Sequence, residues 1–252
     1  MTTLFGHGYI GNAIAKKLEE VEIPFYWYNH DRKENIIYGD AIINAAGYTG
    51  KPNVDSCEIH KEETINGNIL WPLYLENTYK HTPIIHISSG CVYNGYKVNG
   101  WTEEDEPNFT GSFYSLTKAI EQKNIDLKRN YLLRIRMPFA KEENPRNYLT
   151  KLRNYDKLID AENSLSCLDD IANVVLFFVK NLPKPGIYNV CNPGGITARE
   201  ITGMMDLEKQ WFTMEEFEAS IKAPRSFCTL NTDKLSAIYP IKDIRDALKS
   251  CI

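Results

Sequence analysis

The chain opens with Thr2-Thr3-Leu4-Phe5, followed at once by Gly6-His7-Gly8-Tyr9-Ile10-Gly11. A short apolar run that ends in G-x-G-x-x-G, with helical spacing behind it (Ile10, Ile14, Leu18), permits few folds. It reads as a strand turning sharply into a helix. The first glycine allows the tight turn, the second lets backbone approach a pyrophosphate, and the third lets the helix lie close to the strand. The helix N-terminus then offers free N–H groups and its positive dipole end to phosphates. Gly6, Gly8, Tyr9, Ile10 and Gly11 are therefore candidate contacts to a dinucleotide.

Further strands are expected over 24–28, 40–46, 83–88, 130–137 and 186–190. Helical patterns lie between them, over 54–80 (with Pro72 as a start or kink) and 112–128. Later helices are expected near 145–154, 167–179, 198–205 and 242–250. Strands alternating with helices predict an α/β fold, a Rossmann-type doubly wound parallel sheet. The expected division is a dinucleotide-binding domain over 1–140 and a smaller substrate-binding portion over 141–252, with segments crossing between them.

The second strand ends near Asn29-His30-Asp31-Arg32-Lys33. Asp31 would serve the ribose 2′-OH of NAD(H), whereas Arg32 and Lys33 would serve a 2′-phosphate. Two cations outnumber one acid, so NADP(H) is the expected cofactor, with Asn29 and Arg32 as contacts. Asn44-Ala45-Ala46-Gly47 closes the third strand, and its small residues would let a cofactor lie across the strand ends.

Tyr114 and Lys118 stand four apart, which puts phenol and ammonium on one face of a helix. A nearby lysine favours the phenolate, so this tyrosine is expected to exchange a proton closer to neutral pH. Ser89 ends the fourth strand, at the sheet edge where ligands bind in such folds. A serine hydroxyl beside a phenol suits a carbonyl oxygen that must be protonated as hydride reaches its carbon. Cys91, two residues on, brings a thiol to the same edge. A thiol becomes a base only when a cation favours its thiolate, and position alone leaves that role and a plain packing role equally open.

The net charge of −4 gives no reason to expect nucleic acid or an anionic membrane as partner. No apolar run reaches the roughly 20 residues of a membrane span, and the first strand begins at once, leaving no room for a signal peptide. Six irregularly spaced cysteines read as reduced thiols of a cytoplasmic protein. No metal site is indicated.

Gly6-x-Gly8-x-x-Gly11, Ser89 and Tyr114-x-x-x-Lys118 resemble an extended short-chain dehydrogenase/reductase. Residues 49–55, 103–115, 134–138, 144–151, 188–194 and 223–226 are similar to the bifunctional UDP-4-keto-6-deoxyglucose 3,5-epimerase/4-reductases of plants and large DNA viruses, the UDP-L-rhamnose synthases. The run Pro107-Asn108-Phe109-Thr110-Gly111-Ser112-Phe113-Tyr114-Ser115 is the most specific of these, and the resemblance covers nearly the whole chain. It implies that Cys91 and Lys151 carry the protons of the epimerase step. Spacing alone would leave Lys151 an exposed cation. It further implies that Tyr114 and Ser89 hold the C4 oxygen while Lys118 binds the nicotinamide ribose. Arg136, Asn147 and Arg225 become candidates for the UDP moiety, and Asn53 and Asp55 for the sugar site.

The departures from the family are small. The cradle is Gly-x-Gly-x-x-Gly instead of the commoner Gly-x-x-Gly-x-x-Gly, Ser89 stands for a threonine, and the loop after Cys91 is shorter than in plants. No dehydratase accompanies the match, so UDP-4-keto-6-deoxyglucose is expected from a separate 4,6-dehydratase. A homodimer is left open. Two other readings compete: a reductase acting only on an already epimerised dTDP- or UDP-sugar, and a non-catalytic NADP-binding regulatory subunit.

Overall fold

A computed structural model describes residues 1–28 and 39–252. Six strands form its central sheet: β1 (Thr2–Phe5), β2 (Phe25–Trp27), β3 (Ala41–Asn44), β4 (Ile84–Ser89), β5 (Tyr131–Ile135) and β9 (Gly186–Asn189). Their order is β2-β1-β3-β4-β5-β9, and every neighbouring pair is parallel. The order reverses between β1 and β3, which opens a crevice at the carboxyl ends of those strands. Four short strands, β6 (Pro138–Phe139), β7 (Lys157–Ile159), β8 (Ser166–Cys167) and β10 (Gln210–Phe212), pair as β6 with β8 and β7 with β10.

Alternation along the strands builds both faces of the sheet. Leu4, Ile43, Ile85 and Leu133 point to one face. There they pack with Ile14 and Leu18 of α1 (Tyr9–Glu20) and with Ile171, Val175 and Phe178 of α6 (Leu168–Asn181). Phe5, Ile42 and Ile84 point the other way, toward Leu75 and Trp71 of α3 (Trp71–Thr78). Helix α4 (Phe113–Asn124) packs beside α3 and α2 (Lys61–Ile65). A second apolar cluster joins Phe139, Leu149 and Leu152, from α5 (Tyr148–Asn154) and its approach, to Ile196, Ile201, Ile244 and Leu248. The chain beyond residue 140 is not confined to that cluster, because α6 lies on α1 and β9 completes the main sheet.

Two expected elements differ in detail. The helix expected over 112–128 ends at Asn124, because Ile125 turns extended and the Asp126 N–H is taken by the Glu76 carboxylate at 3.1–3.2 Å. The 54–80 stretch is broken into a 3₁₀ turn (Val54–Glu58), α2, a π-helical turn (Asn66–Leu70) and α3, with Pro72 in the first turn of α3. Pro72 has no N–H to donate back and its ring crowds the preceding turn, and a widened π turn relieves both.

Candidate active site

The cradle follows from steric necessity at two glycines. Gly6 has φ +101°, and a Cβ there would fall 2.5 Å from the Ala45 carbonyl carbon. A Cβ on Gly11 would fall 2.0 Å from the Gly6 carbonyl oxygen. These two glycines let the turn, α1 and the end of β3 share one place. Gly8, which caps α1, is different, because a Cβ there meets nothing within 4 Å. Its smallness leaves open space at the helix N-terminus, as a pyrophosphate requires. The Tyr9 hydroxyl is buried without a hydrogen-bond partner among the described residues. Burial, then Glu142, holds it well above the usual phenol range. The donor geometry of this cradle fits a dinucleotide. His7 stacks on Trp27 at 4.5 Å and bonds the Tyr28 carbonyl oxygen at 3.0 Å, which ties the cradle to β2. Asn29, Asp31, Arg32 and Lys33 lie outside the described residues.

Asn44 has an internal task. Its Oδ1 accepts from the Ala46 N–H and Trp71 Nε1, each at 3.2 Å, and its Nδ2 lies 3.1 Å from His86 Nδ1. It shapes the strand end, leaving Ala45 and Ala46 as the residues that face the cradle glycines.

Ser112 caps α4 by accepting the Ser115 N–H at 3.1 Å, and this sets Tyr114 in the first turn. Tyr114 is 9% exposed and hydrogen-bonded to Ser89. Its surroundings reverse one expectation. Burial first, then Cys91, Glu121 and Cys57, push the phenol up, and the Ser89 hydrogen bond works the other way. Lys118 is engaged with Glu121: its Nζ donates to Glu121 Oε2 at 3.0 Å, with both side chains buried. Ser88 Oγ donates to the same oxygen at 2.6 Å. Tyr114 is thus a protonated acid at neutral pH, suited to giving a proton. Glu121 is a functional neighbour that sequence reasoning missed; its place one turn beyond Lys118 was the available signal.

Cys91 follows β4 by two residues, and its N–H donates to Ser89 Oγ at 3.1 Å. The turn therefore binds the thiol's backbone to the serine that also touches Tyr114. Arg136 follows β5, the neighbouring strand, and its Nη1 donates toward Cys91 Sγ at 3.7 Å. Arg136 is 1% exposed, so it cannot reach out to a diphosphate, and the structure corrects that expectation.

Other expected substrate contacts are also spent within the protein. Asn147 is fully buried and caps α5: its Oδ1 accepts the Leu149 N–H at 2.9 Å, while Nδ2 donates to the Ala140 and Glu142 carbonyls, each at 2.7 Å. Asn53 caps the 3₁₀ turn by accepting the Asp55 N–H at 2.8 Å. Asp55 pairs with Arg225 at 2.8 Å and accepts the Ala223 N–H at 3.0 Å. Burial raises the Asp55 carboxyl, but the Arg225 and Ala223 hydrogen bonds outweigh it and leave it below the usual range. This pair clamps the 223–226 segment to the 49–56 loop.

Lys151 lies on α5 and lines a cavity of about 500 Å³ with Lys51, Arg146, Thr150 and Tyr155 among its neighbours. Burial first, then Arg146 and Arg225, lower its pKa, which eases loss of a proton from the ammonium. Arg146 donates to Thr49 Oγ1 at 3.0 Å and to the Gly50 carbonyl at 2.5 Å. Lys51 and Arg146 were not among the expected contacts. Their cue, visible only in the fold, is the gathering of three cations around one cavity.

Residues 31–252 match the family described as the RmlD substrate binding domain. The chain belongs to this family. A bifunctional dTDP-4-dehydrorhamnose 3,5-epimerase/dTDP-4-dehydrorhamnose reductase of Arabidopsis thaliana is 37% identical, over 96% of this chain and 88% of that protein. A trifunctional UDP-glucose 4,6-dehydratase/UDP-4-keto-6-deoxy-D-glucose 3,5-epimerase/UDP-4-keto-L-rhamnose-reductase of the same plant is 35% identical. The chain spans only 40% of that longer relative. The crystal structure of the L780 UDP-rhamnose synthase from Acanthamoeba polyphaga mimivirus superposes with a TM-score of 0.90 at 28% identity, covering 100% of this chain and 99% of that one. The RmlD-family fold thus carries Ser89 at the end of β4, Cys91 just beyond it, Tyr114 in the first turn of α4 and Lys118 one turn further along that helix.

Proposed function

We propose that the chain converts UDP-4-keto-6-deoxy-D-glucose to UDP-L-rhamnose, by 3,5-epimerisation and then NADPH-dependent reduction at C4. One observation carries this reading. The Cys91 N–H is bonded to Ser89 Oγ, and Ser89 is bonded to Tyr114, so a thiol is built into the same turn as the carbonyl-reducing pair. The named activities of the plant and viral relatives support it.

A 4-keto group acidifies the hydrogens on C3 and C5. Inverting either carbon requires one group to take a proton from one face and a second to return one on the other. Cys91 and Lys151 fill these roles. Ser89 and Tyr114 donate to the C4 oxygen while negative charge builds on it, an oxyanion-hole task. When bound along the cradle, NADPH supplies hydride to C4. Tyr114, held as a phenol by burial, gives its proton to the C4 oxygen. Lys118 would bind the nicotinamide ribose on turning from Glu121. One pocket serves both reactions because both place charge on the same oxygen. Arg32 and Lys33 favour the 2′-phosphate of NADPH over NADH. The substrate is the product of a 4,6-dehydratase reaction, an activity that the trifunctional plant relative also names.

The test incubates the protein with UDP-4-keto-6-deoxyglucose and either reduced cofactor, and reads C3, C4 and C5 of the product by NMR. The expected product is inverted at C3 and C5, and the Cys91→Ala variant yields none of it while still reducing an already epimerised sugar. A parent product reduced at C4 without those inversions would identify a reductase alone.

A further inference from the structure

We propose that Arg136 is the positioning residue for Cys91, fixing the sulfur in the pocket and balancing its charge whenever it is a thiolate. The inference rests on the epimerase reading above and adds a residue to it.

Arg136 is a buried cation with no counter-ion among the described residues. Nη1 donates to the Gly90 carbonyl at 3.1 Å, to Ser226 Oγ at 3.0 Å and toward Cys91 Sγ at 3.7 Å. Nη2 donates to Asn163 Oδ1 at 2.5 Å and to the Ser226 carbonyl at 3.1 Å. Nε is buried with no hydrogen-bond partner among the described residues. Every oxygen acceptor is neutral, and among the described residues no carboxylate lies within ion-pair distance of the guanidinium. A buried, unpaired guanidinium is costly, and an arrangement that retains one invites an anion at its side.

Three thiols surround it. Burial works against its charge, and Cys228, Cys91, Cys191 and Tyr148 favour it only when one of them is ionised. Two of these thiols are poorly suited to supply the anion. Burial pushes Cys191 up to about 12 and also raises Cys228, in both cases against the pull of Arg136. Cys91 is the one of the three that is only partly buried, and it is near enough to Tyr114 to push that phenol up. The approach is itself built in. A Cβ on Gly90 would come within 3.0 Å of Arg136 Cγ and 2.6 Å of Leu230 Cδ1, so a glycine there lets the arginine stem pass under the turn.

The chemistry needs such a partner in either direction. At each inverted carbon one carrier removes the C–H proton, leaving the bonding pair in the enolate, and the other returns a proton to the opposite face. If Cys91 takes the proton, the sulfur begins as a thiolate and ends as a thiol, while the Lys151 ammonium gives a proton and ends as an amine. If Lys151 takes it, the sulfur ends as the thiolate. The sulfur is charged on one side of the step in both cases, whereas reduction at C4 passes through Tyr114 and leaves the sulfur unused.

The test compares two reactions in Arg136→Gln and Arg136→Lys. One is entry of solvent deuterium at C3 and C5 of UDP-4-keto-6-deoxyglucose with NADP⁺ present. The other is NADPH oxidation by an already epimerised UDP-4-keto-rhamnose. In Arg136→Gln, exchange is expected to fall by about 100-fold or more while reduction stays within about threefold. Arg136→Lys, which keeps the charge and loses the fork, is expected to recover about tenfold of that loss. If the glutamine variant does not fold, Arg136→Lys still decides, with exchange falling about tenfold against unchanged reduction. Equal losses in both reactions, or undiminished exchange, overturn the assignment. A parent protein that reduces but exchanges neither position overturns the proposed function itself.

Discussion

At the scale of single residues, the protonation state of Tyr114 separates this site from the one expected of a Tyr-x-x-x-Lys motif alone. The motif puts Lys118 on the right helix face, but a motif cannot show that Glu121 captures the ammonium at 3.0 Å. Nor can it show that burial dominates the phenol. The consequence is kinetic. A phenol raised above its usual range stays protonated through neutral pH, so the acid for C4 reduction is fully available there. In single-turnover reduction of an epimerised keto-sugar, the rate is expected to hold level between about pH 6 and about pH 9. A decline with a midpoint near about pH 7 would show that the phenol titrates in the working range after all. Tyr114→Phe is expected to slow the same step by roughly 10²- to 10⁴-fold, the ordinary cost of losing a positioned acid.

At the scale of elements, the strand–cradle–helix unit was legible from residues 2–20 because its constraints are local. The structure assigns its glycines two different duties, and these can be told apart. Gly11→Ala places a Cβ 2.0 Å from the Gly6 carbonyl and must push α1 off the turn. It is expected to cost about 1–3 kcal/mol of stability, read as a lower urea midpoint, as well as NADPH affinity. Gly8→Ala meets no protein atom within 4 Å. It is expected to hold stability to within about 1 kcal/mol and to weaken NADPH binding by fluorescence titration. Equal urea midpoints for the two variants would refute this division. The substrate side was less legible, because its partners are distant in sequence. Asp55 and Arg225 were both singled out, but nothing in the chain says that residues 170 positions apart neutralise each other. Arg136 reads as a phosphate-seeking arginine until β4 and β5 are paired and the side chain turns under Gly90. Asn147 is the exception. An asparagine just before Tyr148-Leu149 is a helix-cap signal, and the cap was there to be read.

At the scale of the whole molecule, the sheet is tuned to pH by a buried group that takes no part in the proposed chemistry. His86 lies mid-way along β4, fully buried, and burial first, then Lys118 and Arg129, drive its pKa down from 6.5 to about 3. The imidazole is therefore neutral. Its Nδ1 accepts from Asn44 Nδ2, which leaves the proton on Nε2, facing Glu76 at 3.9 Å. That contact is too long for a hydrogen bond. The sign follows from linkage. Below pH 6.5 the unfolded chain binds a proton at this histidine that the folded chain refuses until about pH 3. Stability from this group is thus fully present above 6.5 and declines as pH falls from 6.5 toward 3, by about 1.4 kcal/mol per unit. His86→Leu keeps an apolar side chain of similar bulk and removes the titration. The variant is expected to be less stable at neutral pH, because Asn44 loses its acceptor, and its stability should fall less steeply with acid. Urea unfolding of both proteins between about pH 7 and about pH 4.5 reads the two slopes, whose difference should approach one proton. Parallel slopes would show that the strand core carries no such titration, and that the acid sensitivity of this sheet arises from its carboxylates alone.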